Sequence, residues 1–338
     1  MNKESILRNI GSLPNSTYVF VVITLVCAAG IPNFASANNI STLLQQSCIL
    51  TLLSVAMALS IITKGIDLSV GGVVSFAGII MALLMSSGAG EGLAILIGFI
   101  AAMVFGFLNG FIIVKLKVAP FIATFGMMGI AQGVANLLSN KRAIYLTDQA
   151  GLIKLRLIPF LRHNLLEIDL GGGQILGINM IVVITAAVLV LLLLLYKKTV
   201  LSAYMYALGN NAETAKLSNI NVDFWNIFVY MLTGLLAGIA SLLMLLRLNS
   251  AQPTAGDGLE FQAVVAAVLG GNPLSGGKGS LPGAIMGALT VFVVRNGLTL
   301  VGANSNFIMI ILGVVLVLGM IMNDVASRGF KAKGACKQ

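Results

Sequence analysis

Long apolar runs separated by short polar intervals dominate this chain. A helix needs about 20 mostly apolar residues to cross a hydrocarbon layer about 30 Å thick. Runs of that kind lie near 17–36, 43–63, 71–87, 92–114, 119–139, 178–196, 225–246, 260–271, 282–301 and 306–323. The pattern predicts an all-α integral membrane protein with about ten transmembrane helices. The run at 17–31 reads as a first span rather than a leader, because many more follow it. The eighth run is short for a span, which predicts a broken or half-length helix there.

The polar intervals set an expected orientation. With the N-terminus inside and ten spans, thirteen basic residues fall on the inner side, from Lys3 and Arg8 through Lys64, Lys115 and Lys117 to Lys337. Five fall outside, all in one loop: Lys141, Arg142, Lys154, Arg156 and Arg162. The excess predicts both termini inside. The whole chain, 1–338, reads as one transmembrane domain. A first half covers about 40–140, an outer loop 140–177, an inner loop 197–222, and a second half about 225–323.

Both loops carry local signals. The outer one contains Gly171-Gly172-Gly173, a turn signal. The inner one reads KKTVLSAYMYALGNNAETAKLSNINV. There Asn211 is placed to cap a short helix of Ala212, Glu213, Ala215, Lys216 and Leu217, and Asn219 to end it. That helix is too polar to insert, so it is either a solvated loop or a docking element for a cytoplasmic partner.

Two glycine-rich segments match. Gly65, Leu68, Ser69 and Gly71 recur in the same spacing as Gly271, Leu274, Ser275 and Gly277. Each is followed, at unequal distance, by an Asn-Gly pair: Asn109-Gly110 and Asn296-Gly297. This predicts an internal repeat in which the first half carries about one extra helix. Paired interruptions in the two halves of a membrane protein point to a transport pathway. Tight turns at the membrane edge, beside Lys64 and Lys278, are the plainer alternative.

Composition agrees with the pattern. Hydrophobic residues make up 58% and charged residues only 9%, against about a quarter charged in soluble domains. The net charge of +9 is accounted for by loops and tails, so nucleic acid is not an expected partner. Candidate chemistry is sparse. One histidine, His163, and three cysteines without a CxxC give no zinc site. Gly276-Gly277-Lys278-Gly279-Ser280 fails the phosphate-loop pattern, because Asn272 stands where its first glycine belongs. No nucleophile set or paired carboxylates appear, so no enzyme is expected. Polar residues at membrane depth carry more weight. Asp67, Ser69, Asn109, Gln132, Ser275, Arg295 and Asn296 are the candidate pathway residues, with Arg247 and Glu260 near span ends. Any of them equally suits helix–helix hydrogen bonding.

Three stretches resemble a known family: 61–72 (IITKGIDLSVGG), 206–221 (YALGNNAETAKLSNIN), and 250–258 (SAQPTAGDG) continued by 267–279 (AVLGGNPLSGGKG). They resemble the permease subunits of bacterial ABC importers for ribose, xylose, arabinose, galactose and autoinducer-2. In order and spacing the likeness covers about 43–323. It implies a multi-pass protein of the bacterial plasma membrane that pairs with a second, identical or related, permease subunit. It also implies a cytoplasmic ATPase that holds ATP and magnesium, with no cofactor on this chain. A periplasmic or surface-anchored binding protein would deliver solute. The family's coupling loop matches Gly209, Asn210, Asn211, Ala212, Glu213, Ala215, Lys216, Leu217 and Ile220. Asn210, Asn219 and Lys64 stand where the family usually has glycine. The resemblance leaves open a cargo of nucleosides or branched-chain amino acids. A stand-alone secondary carrier is the alternative outside it.

Overall fold

A computed structural model describes residues 15–146, 157–169, 175–304, 306–308, 310–311, 313–314 and 317. The Gly171-Gly172-Gly173 turn and the terminal lysines and arginines used for orientation lie outside these residues. The tenth predicted run is described only at scattered helical positions between 306 and 317.

The first nine runs each coincide with one helix. These are α1 (Asn15–Gly30), α2 (Ala37–Ile62), α3 (Ser69–Ser86), α4 (Glu91–Lys115), α5 (Pro120–Leu138), α7 (Met180–Lys198), α10 (Val222–Leu248), α11 (Leu259–Leu269) and α12 (Leu281–Leu300). Among the described residues seven helices are long and apolar enough to cross a membrane. The two others, α1 and α11, have 16 and 11 residues. At 1.5 Å per residue α11 is about 16 Å long, half a bilayer core, as its short apolar run predicts.

Local chemistry sets the helix ends. The first predicted span extends to 36, but α1 stops at Gly30. Pro32 follows, which disfavours helix at Ile31, and Asn33 is left-handed at φ 61°. Ser36 then caps α2 by accepting from the Asn39 amide. Pro120 opens α5 at the position where its missing N–H costs nothing. Asn221 caps α10 and Ser280 caps α12.

The loops hold more structure than the sequence predicts. The outer loop contains a five-residue helix, α6 (Leu157–Leu161), and an antiparallel hairpin of β2 (Asn164–Asp169) with β3 (Ile175–Asn179). Two further short strands, β1 (Ile144–Tyr145) and β4 (Ser250–Ala251), pair across a long sequence gap. The inner loop holds two helices, α8 (Leu201–Asn210) and α9 (Ala212–Leu217). The additional one, α8, buries Leu201, Met205 and Leu208 on one face and so docks onto the bundle by its own amphipathic pattern.

Burial divides the helices. α2, α3 and α10 are buried along most of their length, whereas α4, α5 and α7 are largely exposed. α2 is the central post, contacting α10, α11 and α12. Lipid offers apolar tails no weaker than leucine, so close packing must hold such helices together. The most extensive contact runs between α4 and α10. It is made by small residues every fourth position on α4: Ala102, Gly106 and Gly110. A Cβ at Gly106 would collide with the Tyr230 carbonyl, and one at Gly234 with the Ala102 carbonyl.

The interruption between α2 and α3 is closed by polar groups. Lys64 takes a left-handed φ of 63°, and Gly65 N–H returns to the Ser60 carbonyl at 2.8 Å. Asp67 is 1% exposed. Its carboxylate accepts from the Ser69 amide and hydroxyl (3.0 and 2.6 Å) and from the Thr233 hydroxyl of α10 (2.6 Å). Asn109 of α4 donates to Ser69 Oγ at 2.7 Å, and Thr124 of α5 donates to the Ile66 carbonyl at 3.0 Å. Three helices therefore pin this one break.

Two outcomes follow for thermal unfolding in detergent. Gly106→Leu should lower the melting temperature through overpacking worth about 1–3 kcal/mol, while Gly126→Ala, with nothing within 4 Å, should leave it unchanged. Asp67→Ala should also destabilise, by about 1–3 kcal/mol for each buried donor left unpaired, and Asp67→Asn should lose less.

Candidate functional site

The predicted site residues fall into three separate places. The first is the junction of α8, α9 and both glycine segments. Asn211 caps α9, accepting from the Glu213 and Thr214 amides at 3.0 and 3.2 Å. Asn219 ends it in the left-handed region at φ 61°, and Ile220 N–H closes onto the Ala215 carbonyl at 3.1 Å. Ala215 is buried, while Ala212, Glu213, Lys216 and Leu217 face outward. Leu217 is 89% exposed, so α9 carries a large apolar side chain and two charges on its outer face.

Immediately before α9, the chain wedges into the bundle. A Cβ at Gly209 would collide with the Ile62 carbonyl at the end of α2 and lie 2.6 Å from Gly277 N. Gly277 N–H itself donates to that carbonyl at 2.9 Å. Tyr206 donates to the Gly279 carbonyl at 2.7 Å. The two matching glycine segments thus meet each other at the end of α8. Both lie at helix breaks. In the second, Asn272 bridges the Ala267 carbonyl (2.9 Å) and the Ser280 amide (2.8 Å), joining α11 to α12. Ser275 lies exposed in that turn.

The departures from the family pattern are resolved here. Lys64 and Asn219 do occupy left-handed positions, whereas Asn210 is the last helical residue of α8. Lys64 Nζ donates to the Asn210 carbonyl at 2.9 Å, placing a cation at the C-terminus of α8 where the helix dipole favours one.

The second place is the buried network already described. Asp67, Ser69 and Asn109 belong to it, and all three are closed off from solvent. Asn296 is in a comparable clamp: it exchanges two amide hydrogen bonds with Asn39 of α2, at 3.0 and 2.9 Å.

The third place is a cavity of about 300 Å³ toward the C-terminal ends of α10 and α12. Arg295 lines it, with Arg247, Gln46, Gln252, Asp257 and Gln262. Gln132, outside the lining, donates to Asp257 at 2.7 Å. Partial burial pushes the Asp257 carboxyl up, and the Gln132 bond opposes that shift. The volume lies at the lower end of small-molecule pockets. Of the predicted pathway residues only Arg295 lines this cavity, and Gln132 is joined to it through Asp257. Gln46 and Gln262 were legible as amides inside apolar runs. Asp257 and Gln252 carry no such signal, since the 249–258 segment that brings them in has no periodicity of its own. His163 is exposed at the base of the β2–β3 hairpin.

Among the described residues no group of three metal-binding side chains is found. The family profile described as branched-chain amino acid transport system / permease component matches residues 39–320. The ribose import permease protein RbsC of Escherichia coli K12 is 35% identical over 311 residues, covering 91% of this chain and 92% of the relative. RbsC of Bacillus subtilis is 34% identical over 90% of each chain. The fructose import permease protein FrcC of Rhizobium meliloti is 29% identical, over 93% of this chain and 86% of its own length. No solved structure matches. The profile spans both glycine breaks, α8, α9 and the cavity, and this chain belongs to that family of membrane-embedded transport permeases.

Proposed function

We propose that this chain is the transmembrane subunit of an ATP-driven importer that carries a monosaccharide or a sugar-like solute across the bacterial plasma membrane. The observation that carries the reading is the junction of α8 and α9 with the two glycine breaks. An exposed helix keeps only Ala215 buried, and Gly209, just before it, lies against Ile62 and Gly277 together. A push on α9 is therefore delivered to the end of α2 and to the turn before α12 in one movement. Those same helices, with α10, wall the cavity at the far end.

In this scheme ten spans place both termini in the cytoplasm, and the two breaks are the related halves of the pathway. A second copy or a related subunit completes the channel. A cytoplasmic ATPase, which holds ATP and magnesium, docks on α9. A binding protein delivers solute at the outer loop. The chain performs no covalent chemistry. It offers solute two states of different affinity, and ATP at the partner shifts their populations. The curated relatives named for ribose and fructose favour sugar over amino acid or nucleoside cargo.

Reconstitution with the co-expressed ATPase and binding protein tests this directly. ATP-driven uptake is expected for at least one labelled sugar or sugar derivative among ribose, galactose, autoinducer-2, gluconate and ribose 5-phosphate; preference for adenosine or leucine would change the cargo, and uptake without ATP would sink the importer. Glu213→Arg should cut ATP-driven uptake about tenfold or more, on the scale of one lost charged contact, with normal membrane insertion. Normal uptake by that variant would remove α9 as the docking element.

A further inference from the structure

The cavity holds an unusual charge arrangement. Arg247, in the last turn of α10, and Arg295, within α12, line the same space and repel each other. Both are half-buried between apolar helices. Arg295 is positioned from two sides. Its guanidinium donates to Gln262 Oε1 at 3.1 Å and lies 5.9 Å from the centre of the Phe292 ring. Among the described residues the one ion pair, Lys115 with Asp223, lies at the other end of the bundle. Asp257 is the single acid in the lining, and its Oδ1 is taken by Gln132. Two fixed cations therefore face one partly engaged carboxylate.

Two like charges on one half-buried cavity wall are costly unless an anion offsets them. Charged side chains at membrane depth mark solute pathways. The amides of Gln46, Gln252 and Gln262 offer both donors and acceptors to sugar hydroxyls, while the two guanidiniums add up to ten N–H donors, an excess of positive charge and no acceptor. The planar fork of arginine matches a carboxylate or phosphate edge. We propose that this cavity binds an anionic sugar-derived solute, a sugar acid or a sugar phosphate, with its anionic group held between Arg247 and Arg295. The inference rests on the importer reading and specifies its cargo. It separates this chain from what the names of its ribose and fructose relatives alone suggest.

Matched pairs test it independently of ATP. The purified permease, in nanodiscs of uncharged lipid, is titrated with labelled gluconate against glucose and with ribose 5-phosphate against ribose. At least one anion should bind about tenfold more tightly than its neutral parent, the worth of one charge-assisted contact. The pair that shows the preference tells carboxylate from phosphate. Arg295→Gln should abolish the preference, and Arg295→Lys, which keeps the charge and loses the fork, should retain part of it. Equal or weaker binding of both anions, or a preference that survives both Arg295→Gln and Arg247→Gln, would overturn the inference. In the complete transporter, ATP-driven uptake of a neutral sugar unchanged in Arg295→Gln would also overturn it while leaving the importer intact. Uptake without ATP would remove the importer, and the matched binding pairs would still decide the charge preference.

Discussion

Lipid cannot hydrogen-bond a peptide group, and this constraint orders the structure. A helix that crosses without interruption meets it alone. A helix that breaks must find partners for every freed amide and carbonyl. The same demand falls on the connections between α2 and α3 and between α11 and α12, where the helix ends leave backbone groups free. At the first, Asp67 accepts from the Ser69 amide and Thr124 donates to the Ile66 carbonyl, while Asn109 and Thr233 hold the Asp67–Ser69 pair; at the second, Asn272 bonds backbone on both sides. The polar residues at these connections are thus spent on backbone or on one another.

The same constraint explains why the two connections meet. The Ile62 carbonyl, left over at the end of α2, is taken by Gly277 from the other break. Gly209 lies against both because any side chain there would collide. The requirement for satisfied backbone and the requirement for close approach converge on one spot, directly behind α9. Rigid helices then connect that spot to the cavity. Between α4 and α10 the small-residue stripe leaves no room for a Cβ, so these two helices pack backbone to backbone.

The cavity obeys a different economy. Its polar groups are not consumed by backbone, and its two arginines keep most of their donors free. That contrast separates polar groups engaged within the fold from polar groups with donors to spare. Asp67 and Arg295 are both ionisable groups in apolar helical surroundings, yet the first is fully engaged and the second is not.

Much of this was readable in the sequence. Apolar run lengths placed nine helices, including the half-length α11, because the cost of burying charge in lipid is paid locally. Asn211 and Asn219 marked α9 at both ends, since capping and left-handed termination depend on the residue itself. The glycine spacing marked both breaks. What the sequence left undecided is which polar residues work together. Asp67, Asn109 and Arg295 look alike as polar positions in apolar stretches. Only packing shows that the first two share one buried network and that Arg295 faces Arg247 across a cavity. The β1–β4 pairing and the approach of Gly277 to Ile62 likewise join residues far apart in the chain. Hydrophobic run and cap chemistry are local quantities, fixed by neighbours in sequence. The fate of a polar side chain depends on what the other helices bring to it, and the tertiary structure alone decides that.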